Sequence, residues 1–150
     1  MTEHDFLDRI SLIPETEIVD INMRDVHFKS ARESYLFHDV LDRIVTETGK
    51  TWYFLTCFEG CTIIADTAHQ FSMRRTRTHT NHCRKAVRYG ASAELDRAMT
   101  SLETSPNALC ESFSSREEAL QKIVEMRSDD DNLMRHGTNF VERDLTLSHG

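Results

Sequence analysis

Apolar residues along the chain follow two periods, and the switches between them set the order of elements. Phe6, Ile10 and Ile13 recur at spacings of four and three ahead of Pro14, which predicts a short helical extension over residues 1–14. Val19, Ile21 and Met23 then alternate with Asp20 and Asn22, the pattern of a strand with one buried and one wet face. Val26 and Phe28 keep that phase past Arg24-Asp25, so the strand either runs on or folds into a hairpin. Ser30 opens a capping box closed by Glu33. Phe37, Val40, Leu41, Ile44 and Val45 then share one helical face, and Gly49 supplies the left-handed stop. Thr51 to Phe58 is an almost unbroken apolar and aromatic run. Such a run suits a strand buried on both faces, at the centre of a parallel sheet.

Cys61 to Ala65 is apolar again, and Asp66 is placed to cap a helix running from Thr67. That helix has a thin apolar face of Ala68, Phe71 and Met73, and no large apolar residue follows from Arg74 to His82. It is expected to be half exposed or to end early. Lys85–Tyr89 reads as a strand, Gly90 as its break, and Ser92 as the cap of a helix with Leu95, Ala98, Met99 and Leu102 on one face. Pro106 closes that unit, and Leu109–Phe113 reads as a fourth strand. Ser115 to Glu118 form a second capping box, followed by a helix burying Ala119, Leu120, Ile123, Val124 and Met126. The acidic run Ser128-Asp129-Asp130-Asp131 is expected to break it, leaving residues 129–150 as a tail, loosely ordered or docked on a neighbour. The order β-α-β-α-β-α-β-α predicts an α/β fold with a single, mainly parallel sheet of four to five strands and right-handed crossovers. Sites in such sheets lie at the carboxyl ends of the strands. Here those ends are Phe58–Ala65, Tyr89–Ser92 and Phe113–Ser115.

Composition narrows this picture. The 150 residues suffice for one domain, and 39% hydrophobic with 29% charged residues excludes a low-complexity or disordered chain. No stretch approaches the ~20 apolar residues of a membrane helix. The polar, acidic start Met1-Thr2-Glu3-His4-Asp5 is unlike a secretory signal. Four scattered cysteines suit a reducing cytoplasm. The net charge of −7 argues against nucleic acid, yet it is unevenly distributed. Residues 67–93 hold Arg74, Arg75, Arg77, Arg84, Lys85 and Arg88 and no acid, while both flanks are acidic.

Three strings carry a family resemblance: Gly49-Lys50-Thr51-Trp52-Tyr53-Phe54-Leu55, Val87-Arg88-Tyr89-Gly90-Ala91-Ser92, and Phe113-Ser114-Ser115-Arg116-Glu117-Glu118-Ala119-Leu120. Over residues 15–128 the chain resembles the STAS-like family, the fold of bacterial anti-sigma-factor antagonists, and looks closest to a branch of small stand-alone members. The resemblance implies helices packed mostly on one face of the sheet. It also implies a regulatory role through protein contacts, usually without catalysis. The family places a phosphorylatable Ser or Thr at the helix start after the central strand. The string at that place is Ala65-Asp66-Thr67-Ala68, which makes Thr67 the candidate phosphoacceptor, without the small residues and glycine that surround the family's own.

The candidate chemistry follows from these features. Arg74, Arg75, Arg77 and Arg88 are the candidate contacts to an acidic partner or anion, because a guanidinium meets carboxylate or phosphate in pairs. The structural alternative is a solvated face that pairs with the chain's own acids. Cys57, Cys61, His79, His82 and Cys83 are zinc-type ligands at spacings unlike the common motifs, so no metal and no cofactor is expected. A redox bond between Cys57 and Cys61, or Cys61 and Cys83, is a further alternative. No nucleophile elbow, Gly-rich phosphate loop or dinucleotide fingerprint is present. The leading expectation is a non-catalytic cytoplasmic module that binds an acidic protein, or a second copy as a homodimer. The alternative is a sensor or enzyme for a phosphorylated or acyl-CoA-type metabolite, with a pocket of Trp52, Tyr53, Phe58, Tyr89 and Ser92.

Overall fold

The computed structural model describes residues 1–103 and 110–146, with side chains through residue 134. Elements follow in the order α1 (Glu3–Leu7), β1 (Ile10–Ile13), β2 (Ile18–Asn22), β3 (His27–Phe28), α2 (Ala31–Thr46), β4 (Trp52–Cys57), β5 (Thr62–Ile63), α3 (Ala65–His82), β6 (Cys83–Tyr89), α4 (Ala93–Ser101), β7 (Cys110–Phe113) and α5 (Arg116–Thr146). The main sheet has five strands in the order β1-β2-β4-β6-β7. β1 is antiparallel to β2, and the other pairings are parallel.

This topology decides where the helices go. From β2 onward each crossover moves one place in the same direction. Right-handed crossovers that all step the same way put α2, α3 and α4 on one face. Their apolar stripes meet there: Phe37, Val40, Leu41 and Val45 of α2, Phe71 of α3, and Leu95 and Met99 of α4 join Val19, Ile21, Trp52, Phe54 and Ala86. α5 follows the last strand and is free of that constraint. It takes the other face, where Ala119 and Ile123 pack on Ile18, Tyr53, Leu55 and Val87. β4 therefore alternates its side chains between two buried layers, as a central strand must.

Four expectations are corrected. Ile10 to Ile13 are a strand rather than the end of a helix, because they find register partners Ile21 to Ile18 on β2. β3 leaves the main sheet at Asp25, whose φ is +58°, and pairs with β5 as a separate two-stranded parallel ribbon. The helix after β5 starts at Ala65, with Ile64 rather than Asp66 at its cap, and runs full length to His82. Its missing apolar face is replaced by a buried polar one of Thr67, Ser72, Arg75, Thr78 and His79 beside Phe71. Finally, the acidic run does not break α5, which continues for 31 residues. Asp130 accepts a hydrogen bond from the Tyr53 hydroxyl and lies 3.4 Å from Lys85 Nζ, so part of that run latches the helix to the sheet.

That latch has a measurable signature. Burial, and then the bond to Asp130, push the Tyr53 phenol up to about 12. A group whose folded value is raised contributes its full stability below the unfolded value of about 10, and loses it as pH rises toward 12. An ultraviolet titration of the folded protein is expected to show one phenol ionising near 12 that disappears in Tyr53→Phe. An unchanged curve in that variant would contradict the latch.

Candidate functional site

One helix cannot cover a five-stranded sheet. Strands spaced ~4.8 Å apart make this sheet roughly 20 Å wide, about twice the width of a helix. α5 lies over β6, β4 and β7. The β1–β2 side of that face stays open at the carboxyl ends of the parallel strands, and there it forms a crevice of about 600 Å³. Its floor comes from the wet face of β2, Asp20 and Asn22, with Cys57 ending β4 and Tyr89 ending β6. Arg9, Arg24 and Glu59 form one wall, and Ser114, Ser115 and Arg116 at the start of α5 form the other.

The loops that shape it are tightly set. Met23 N donates to Cys57 O at 2.9 Å, Asp25 N to Glu59 O at 2.9 Å, and Phe58 N to Tyr89 O at 2.9 Å. Gly90, at φ +77°, lies against the Glu59 backbone, and a Cβ there would come within 3.3 Å of Glu59 Cα. Only glycine combines that conformation with that approach.

Three guanidinium groups enter the crevice with different partners. Arg116 grips Asp20 with two bonds of 2.8 and 3.2 Å and donates to the Tyr89 hydroxyl at 3.3 Å. The bond to Asp20 is the first cause that raises its pKa further. Burial holds the Tyr89 phenol above its ordinary value, although Arg116 pulls it down. Arg24 pairs with Glu59 at 2.7 Å. Arg9 differs: its NH1 donates to the carbonyl oxygens of Asn22 at 3.0 Å and Arg24 at 2.9 Å, and no carboxylate pairs with it among the described residues. Its position is fixed by neutral acceptors, and although Asp8, Asp20 and Glu59 also line the crevice, none of them forms an ion pair with it. Ser115 is occupied in capping α5, accepting from Glu118 N at 3.2 Å.

The residues singled out from the sequence do not gather in one place. Arg88 is 1% exposed and donates to Asp96, Glu103 and Thr100 at 2.9, 2.7 and 3.1 Å. Arg75 is buried and donates to the same Glu103 at 3.0 Å. Both are interior ion-pair partners rather than surface contacts. Arg74 is held by Asp39 and by Asp42, the latter at 3.2 Å. Of the four arginines only Arg77 is exposed. Thr67 is 2% exposed, which leaves its hydroxyl out of a kinase's reach in this conformation. Trp52 and Tyr53 lie on opposite faces of β4 and cannot line one pocket. Phe58 is core, and Ser92 caps α4 by accepting from Leu95 N at 3.1 Å. Tyr89 alone of that set reaches the crevice.

The four cysteines are free thiols, and no group of three metal-ligating side chains gathers among the described residues. Burial pushes the Cys61 thiol up to about 12 and also raises Cys83 and Cys110, the opposite of what a reactive thiolate needs. Arg9, Arg24 and Arg116 were not singled out from the sequence. One signal did point to this place: the alternation of Asp20 and Asn22, which left one face of β2 polar. No family model, curated protein or solved structure matches the chain.

Proposed function

We propose that this protein is a non-catalytic, STAS-like interaction module, working in the cytoplasm, that takes an acidic segment of a protein partner into the strand-end crevice. The carrying observation is Arg9. It is a guanidinium held in place by main-chain carbonyls, open to the crevice and without a carboxylate partner among the described residues. A partner carboxylate or phosphate gains a charge-assisted bond there without displacing an existing pair. Arg24 offers a second contact through a single-point pair that an incoming acid can exchange. The resemblance of residues 15–128 supports the module reading, as does a sheet with three crossover helices on one face. A second copy of this acidic chain is one candidate partner.

Affinity capture from the native host tests the proposal. Arg9→Glu with Arg24→Glu is expected to reduce capture at least tenfold with the fold intact, while Arg77→Glu on the exposed side of α3 leaves it unchanged. Loss with Arg77→Glu and not with the crevice pair would reject the site.

A second reading, a sensor or enzyme for an anionic metabolite, is favoured by the crevice volume, which falls within the ~300–1,000 Å³ range of small-molecule sites. It predicts that a phosphorylated or acyl-CoA-type compound raises the melting temperature, and that Arg9→Glu abolishes the rise. The module reading predicts no such rise.

A further inference from the structure

The opposite face of the sheet, under α2 and α3, holds a narrow cavity with about 20 Å³ of room for a water centre. Two polar residues that line it carry atoms without hydrogen-bond partners among the described residues. Arg75, its side chain 7% exposed, gives one nitrogen to Glu103, while its Nε and NH1 are buried and unbonded. Thr78 Oγ1, fully buried on the next turn of α3, is likewise unbonded. Buried donors without acceptors are rare in folded proteins, and although Arg75 also borders a second small cavity beside Leu95 and Met99, this is the one that Thr78 lines with it.

We infer that this cavity is a binding site for one ordered water, held by Arg75, Thr78 and His38. Size and charge select the occupant. The volume exceeds the ~10–15 Å³ a water needs and is far below that of an organic ligand site. The nearby ion pairs already set four carboxylates against three guanidinium groups: Arg75 and Arg88 face Glu103 and Asp96, and Arg74 faces Asp39 and Asp42. An anion would add to that negative excess, so the acceptor is neutral. His38 supplies the complementary group. Its Nδ1 lies 2.7 Å from Ser34 O, a geometry that assigns the proton to Nδ1 and leaves Nε2 as an acceptor. His38 lines the same cavity. The water accepts from Arg75 and donates to His38, with Thr78 as third partner, matching the ~3 bonds usual for a buried water. It joins α2 to α3 above Thr56 of the central strand.

A crystal structure of the full chain that resolves ordered solvent tests this, with parallel crystals pressurised with xenon or soaked in bromide. The expected result is one water within hydrogen-bond distance of Arg75 Nε or NH1, with no xenon and no bromide at the site. Xenon in the wild-type cavity would show it to be dry, bromide would show it to be an anion site, and direct bonding of Arg75 to a protein oxygen would remove the need for an occupant. Each of these overturns the inference. Arg75→Met, if it folds, is expected to lose the water peak and admit xenon. The test is independent of the crevice and its partner.

Discussion

Glu103→Ala is expected to lower the unfolding free energy by about 3–5 kcal/mol, the usual effect of removing one partner from a buried ion pair. Glu103 has a side chain only 4% exposed and receives both Arg75 at 3.0 Å and Arg88 at 2.7 Å. Among the described residues, its removal leaves Arg75 with no carboxylate and Arg88 with Asp96 alone. The penalty is that of an uncompensated interior charge, so it is expected to exceed that of Arg88→Met, which leaves Glu103 still paired with Arg75. Urea unfolding of the two variants measures both values. A loss below about 1 kcal/mol for Glu103→Ala would mean that the network is hydrated and screened like a surface pair.

The second large effect is acid sensitivity set by His38. The ring is 1% exposed and stands edge-on to Phe37 and Phe71, with centroids at 4.7 and 4.9 Å. Burial, aided by the charges of Arg74 and Arg75, lowers its pKa to about 3 against the pull of its bond to Ser34. The unfolded chain takes up this proton near pH 6.5 and the folded one does not. The stability tied to a neutral His38 is therefore present above pH 6.5 and is lost as pH falls toward 3. At ~1.4 kcal/mol per unit the effect is on the order of several kcal/mol. Urea midpoints measured from pH 7 to pH 4 are expected to fall steeply for the wild type and more shallowly for His38→Phe. Parallel curves would place the acid sensitivity elsewhere.

These two sites also show what a linear chain reveals and what it hides. Elements fixed by local contacts were legible. Ser30 and Ser92 cap the helices their positions suggested, and the run from Trp52 to Cys57 lies at the centre of the sheet. Ile10 to Ile13 fit both a helical and a strand period, and only pairing with β2 settles the choice. The basic stretch was plain as charge but not as direction. Arg75 and Arg88 turn inward because Glu103, 28 and 15 residues further on, waits inside. The polar stripe of α3 has helical spacing, yet a pattern search for apolar residues passes over it. The crevice is the least local feature of all. Arg116 and Asp20 meet across 96 residues, and the open face between them exists because α5 covers only part of the sheet.

If recognition occurs at the carboxyl ends of the strands, around Arg9, hydrogen–deuterium exchange of the protein alone and in complex with its captured partner will show it. Slowed exchange is expected over residues 9–11, 22–25, 57–60 and 114–117, with α3 unchanged. Protection confined to the exposed side of α3 around Arg77, with the crevice segments unaffected, would contradict it.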